Sequence, residues 1–148
     1  MNSNLEKYGG IFAAIMGIAA LGFGIMEIFL RGEWGPLTTD GGTFTPWRGI
    51  ILIFAGVLFL SSVARFMDVR QVAKGVMGSI MIWVLAAMDI WAMIAASIPS
   101  GAEDAGEPWF ASGADFLGAY GSPYMPAMYL LIPSLVIIYF ILRRRTAS

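Results

Sequence analysis

Cysteine and histidine are both absent from this chain of 148 residues. That absence excludes disulfides, iron–sulfur clusters, structural zinc and histidine-ligated haem together. It also removes the commonest general base. Charge is the next scarcity: Asp, Glu, Lys and Arg make up 13% of the residues, against about 25% in a soluble domain. No lysine stands inside an apolar run, so a retinal-type Schiff base has no attachment point. No nucleophile–base pair or phosphate-cradling glycine loop is present, and intrinsic catalysis is not expected. No metal, no cofactor beyond bound lipid and no nucleic-acid partner is expected.

What the chain has instead is apolar surface. Hydrophobic residues make up 58% of it, and its mean hydropathy is +0.75. Too little polar surface remains to cover a soluble globule, so the bilayer is the expected solvent. About 20 apolar residues cross a bilayer as a helix. Four runs qualify: Gly9 to Leu30, Trp47 to Ala64, Gly75 to Ile98, and Pro123 to Leu142. The expected fold is an all-α integral membrane protein, one four-helix transmembrane domain over residues 1–148, with spans at about 9–30, 47–64, 75–98 and 123–142. A secretory h-region is about 7–15 residues long and ends at a small-residue cleavage site. The first run is longer and lacks such a site, so it is expected to be retained.

Basic residues set the expected orientation. Lys7, Arg65, Arg70, Lys74, Arg143, Arg144 and Arg145 fall on one side, with only Arg31 and Arg48 on the other. Both termini are therefore expected inside, in the cytoplasmic membrane. The opposite side carries Glu33, Asp40, Glu103, Asp104, Glu107 and Asp115, with Trp34, Trp47 and Trp109 at that interface. Thr45-Pro46 and Ser122-Pro123 offer helix starts, and Pro99 closes the third span. Pro133 lies inside the fourth span and predicts a kink. The second outer loop places Trp109, Phe110, Phe116 and Tyr120 at helical spacing after Pro108. That spacing predicts a short amphipathic helix on the outer surface or on a partner. An ordered loop burying the same aromatics is the alternative.

Small residues mark where membrane helices pack. Gly10, Ala13, Gly17, Ala20 and Gly24 recur at steps of three and four on the first span, and the next step is Glu27. This seam predicts that Glu27 points into protein. On the third span Gly78, Ile82, Leu85, Asp89, Ala92 and Ala96 share a face, flanked by Gly75, Ser79 and Ala86. Trp83 and Trp91 are expected to point away, toward lipid or a partner. Met77, Met81 and Met88 form a neighbouring stripe, read as adaptable packing.

The two acids carry the functional question. Glu27 has two candidate ion-pair partners, Arg31 four residues on and Arg48 at the start of the second span. Asp89 lies nine residues before Ile98, roughly 13 Å in from the span's outer end. Asp89 has three candidate states: ionised and paired with Arg48, protonated, or facing a wet cavity as a cation site. The expectation is a small non-catalytic accessory subunit of a larger membrane protein complex, stabilising or shielding a partner subunit. Trp34, Trp109, Phe110, Phe116 and Tyr120 are its candidate outer or partner contacts. The alternative is a homo-oligomeric small transporter or channel using Asp89 and Glu27 as a proton or cation site. Small multidrug transporters share the size and a first-helix glutamate, but here the glutamate stands at the outer end and the remaining pattern differs.

Overall fold

Long apolar runs without proline past the first turn give three helices: α1 (Ser3–Phe29), α2 (Thr45–Ser62) and α3 (Val69–Ala96). A fourth, α4 (Pro126–Thr146), continues through Pro133. The computed structural model describes residues 3–40, 43, 45–65, 68–96 and 124–146. The expected amphipathic helix, with Trp109, Phe110, Phe116 and Tyr120, lies outside the described residues, as do Pro99 and Ser122-Pro123. All four helices are long and apolar enough to cross a membrane.

The helices outrun the apolar spans. α1 begins at Ser3 rather than near Gly9, and α3 at Val69 rather than Gly75. Hydropathy marks the part of a helix that sits in hydrocarbon. Lys7, Arg70 and Lys74 are polar but good helix formers, so the backbone coils before the apolar run starts. α4 starts at Pro126, whose fixed φ suits a first helical position.

Contacts run around a ring, α1 on α2, α2 on α3, α3 on α4 and α4 back on α1. Each neighbouring pair is antiparallel. Gly17 faces Gly56 and Gly24 faces Gly49 between α1 and α2, and Gly78 meets Ala55 and Phe59 between α3 and α2. Trp83 reaches Ser134 between α3 and α4, and the Phe12 and Phe140 rings lie 6.2 Å apart between α1 and α4. Large apolar side chains such as Ile15, Ile18, Phe54, Val57, Ile132 and Leu135 turn outward. The interior is filled by Ala13, Ala20, Leu52, Phe59, Ile82, Leu85 and Ile137. Lipid tails are as apolar as leucine, so such helices are held by close packing and polar contacts rather than by burial of apolar surface.

The closest packing is between α1 and α2. All five residues of the α1 seam, Gly10, Ala13, Gly17, Ala20 and Gly24, are buried. A Cβ on Gly24 would stand 2.7 Å from the Gly49 carbonyl oxygen, and one on Gly49 would stand 2.7 Å from the Gly24 carbonyl oxygen. Gly17 and Gly56 repeat this reciprocal contact at 3.0 and 2.8 Å. Backbone meets backbone at both levels, which only glycine permits. The α2 half of the seam, Gly49 and Gly56, has the same seven-residue spacing as Gly17 and Gly24, a signal the expected α1 seam did not include.

Two expectations for α3 change. Trp83 does not face away from the bundle: its indole Nε1–H donates to Ser134 Oγ on α4 at 2.6 Å. A buried indole N–H needs an acceptor, and the Ser134 hydroxyl supplies one while donating to the Leu131 carbonyl at 2.6 Å. Ala92 is exposed, outside the buried face that carries Leu85, Ala86 and Asp89; the Ala96 side chain lies outside the described ones. Trp91 is turned outward and 70% exposed, and Met77 and Met88 are exposed as well.

The first loop carries a small hairpin that glycine and threonine content alone does not announce. β1 (Glu33–Trp34) pairs antiparallel with β2 (Leu37–Thr38) through a turn at Gly35 and Pro36. Gly35 has φ 65°, a conformation cheap only for glycine. The hairpin is tied at both ends. The Thr39 hydroxyl bonds to the Leu30 carbonyl after α1 and accepts from Gly32 N at 3.1 Å. Tyr124, just ahead of α4, donates its N–H to Pro36 O and accepts from Thr38 N, both at 2.9 Å. The Tyr129 hydroxyl donates to the same Pro36 carbonyl. The hairpin thus links the end of α1 to the start of α4.

Gly24→Val should lower stability by about 1–3 kcal/mol through overpacking, read as an earlier midpoint in unfolding from mild detergent. Gly22→Ala meets nothing within 4 Å and should be neutral or gain up to about 1 kcal/mol from helix propensity. Equal losses at both positions would mean that the α1–α2 seam is not the close contact.

Candidate functional site

Three charged side chains meet inside the bundle near the hairpin end. Glu27 stands in the last turn of α1, Arg48 in the first turn of α2, and Asp89 in the last two turns of α3. The α1 seam brings Glu27 inward, as its spacing predicted. The absence of a side chain on Gly49 then lets that turn of α1 approach α2: a Cβ there would stand 3.3 Å from the Glu27 Cβ. Asp89 arrives from the other side of α2 on the buried face of α3. Relative exposure is 0% for Glu27, 6% for Arg48 and 7% for Asp89.

The two pairings are unequal. Arg48 grips Asp89 with both arms of its fork, Nη1 to Oδ1 at 2.7 Å and Nη2 to Oδ2 at 2.8 Å. This parallel two-bond geometry is the strongest that a guanidinium and a carboxylate form. Glu27 receives only the Nε side of the guanidinium, 3.9 Å from its Oε2. That distance is beyond a hydrogen bond. Both Glu27 oxygens and Arg48 Nε are buried with no hydrogen-bond partner among the described residues.

Arg31, the local candidate for Glu27, is exposed, while Glu27 is sealed inside. Spacing of four along α1 makes the pair sterically available, but the seam turns Glu27 inward and leaves Arg31 past the helix end. Trp34 sits on β1, 52% exposed. Among the described residues no group of three or more His, Cys, Asp or Glu is arranged to hold a metal ion.

The physical weight of the cluster is large. An aspartate at the centre of a membrane helix costs about 2.5–3.5 kcal/mol on insertion scales. Taking an ion out of water costs several kcal/mol in a protein interior, and the opposite charge returns this only with good geometry and full hydrogen bonding. Asp89 and Arg48 meet that condition. Glu27 does not. The arrangement can therefore do two things: pin α2 to α3, and present one buried carboxyl group with unspent hydrogen-bonding capacity.

No protein-family model, no curated protein and no solved structure matches this chain.

Arg48→Met removes the only cation among the described residues that faces the two buried carboxyl groups, and should cost about 3–5 kcal/mol. Asp89→Asn should cost less, about 1.5–3 kcal/mol, the worth of hydrogen bonds to a charged group. The double variant should recover part of the sum, measured as a coupling energy in a double-mutant cycle. Strict additivity would mean that the two side chains do not interact.

Proposed function

We propose that this chain is a small, non-catalytic accessory subunit of a larger membrane protein complex. It stabilises or shields the partner subunit that does the chemistry. It lies in the cytoplasmic membrane with both termini inside, a reading supported by the basic residues. Lys7, Arg65, Arg70, Lys74 and Arg143 gather at the end of the bundle opposite the hairpin.

The observation that carries the proposal is the outward face of α3. Val84, Ala87, Met88, Trp91 and Ala92 line a shallow, open apolar hollow on the helix surface. Ala87 and Ala92 are small, and Met88 and Trp91 are bulky. Relief of this kind accepts the side chains of a neighbouring membrane helix. Methionine adapts to the shape of what it meets. The opposite face of the same helix spends its one charged side chain on Arg48, inside the bundle. The helix thus has a polar face engaged internally and a contoured apolar face left for a neighbour.

A homo-oligomeric transporter or channel is the second reading, and Glu27 favours it. A buried carboxyl group with no hydrogen-bond partner among the described residues resembles a site awaiting a proton or cation. Asp89 is less suited to that work, because moving an ion past it means breaking two short bonds to Arg48.

Native purification in mild detergent distinguishes the two. The subunit reading expects stoichiometric partner chains, lost in Ala87→Trp, which fills the hollow, while the variant's own thermal midpoint is unchanged. A homo-oligomer free of other chains, showing proton or cation flux that Glu27→Gln abolishes, would replace it with the transport reading.

A further inference from the structure

The buried cluster does not balance its charge. Glu27 and Asp89 bring two carboxyl groups to one guanidinium. Arg48 has committed its fork to Asp89 in two short bonds. What reaches Glu27 is one edge of the same guanidinium at 3.9 Å. A carboxylate taken out of water needs donors to replace the water, and both Glu27 oxygens lack them among the described residues. Position along the helix adds to this. Glu27 stands in the last turn of α1, at the negative end of the helix dipole, where a second negative charge is disfavoured. The positive end of α2 is close, through Gly49, but its N–H groups make no hydrogen bond to Glu27. Arg31 is exposed, past the end of α1.

We propose that Glu27 holds a proton, so that the cluster is one ion pair plus one neutral carboxylic acid. The proton is the cation this donor set fits. A metal ion needs several oxygen ligands, and the second carboxylate of the cluster is already occupied by Arg48. The guanidinium also repels any metal ion brought to the Glu27 oxygens. A proton needs a single oxygen, leaves the other facing Arg48 Nε at 3.9 Å, and cancels the surplus negative charge. The bound proton then serves as a structural component, closing the contact between α1 and α2 without exposing a charge to hydrocarbon. This inference does not depend on the subunit reading. It holds for a lone bundle and for an assembled one.

Infrared spectroscopy of the full chain in lipid bilayers at neutral pH tests it, using isotope-labelled glutamate to separate Glu from Asp. The expected spectrum contains a carboxylic-acid C=O band that shifts with the label. That band is lost in Glu27→Gln and survives in Asp89→Asn. Glutamine copies the shape of the neutral acid, so Glu27→Gln should keep a thermal midpoint close to that of the parent chain. If that variant does not fold, the labelled parent chain still decides: an acid band supports the proposal, and carboxylate bands alone overturn it. An acid band that survives Glu27→Gln also overturns it, because the proton then belongs to another residue.

Discussion

The guanidinium of Arg48 is the point at which three helices meet. It projects from α2, holds Asp89 of α3 with both arms, and turns its remaining edge toward Glu27 of α1. Among the described residues, Trp83 with Ser134 is another polar contact between helices, and the hairpin is tied to Tyr124 and Tyr129. In hydrocarbon, apolar burial gives little preference for one helix arrangement over another. A charge that must be neutralised gives a strong one. A buried ion pair is weak evidence for net stability but can fix register. Here it fixes α2 against α3 so that Gly78 falls beside Phe59 and Ala55.

The glycine seam and the charged cluster depend on each other. Gly17–Gly56 and Gly24–Gly49 bring the α1 and α2 backbones together. That approach carries the next turn of α1, and with it Glu27, to the edge of Arg48. With bulkier residues at the seam, Glu27 would stand farther from the guanidinium and nearer to lipid. The same closeness excludes the donors that would satisfy it. Tight packing thus brings the second acid to the cluster and leaves it without hydrogen bonds, which is why Glu27 rather than Asp89 is the chemically open group. The functional reading follows the same division. The polar interior is largely engaged with itself, and the contoured apolar face of α3 is turned outward.

Much of this was legible in the residues. Four apolar runs separated by more polar stretches gave four long helices, because a backbone in hydrocarbon must satisfy its own hydrogen bonds. Steps of three and four placed the α1 seam and turned Glu27 inward. Other features were not legible. Trp83 was expected to face lipid or a partner because it lies off the small-residue face of α3; its indole N–H instead found Ser134 on a helix distant in sequence. The Gly35-Pro36 turn was present in the sequence, but the two-residue strands beside it are too short to show a period of two. Gly49 and Gly56 carried the right spacing, yet a seam is recognised only when both of its halves are compared.

The sequence by itself determined the four long apolar helices and which faces carry small or charged residues. These follow from composition and from the 3.6-residue turn, which are local properties. Only the tertiary structure decided how one cation is divided between two acids. Arg48 was the candidate partner for both Glu27 and Asp89, and nothing in their spacing ranked the two. The ranking came from distances set by helix packing. A fork can satisfy one carboxylate fully, and α3 places Asp89 at 2.7 Å while α1 leaves Glu27 at 3.9 Å.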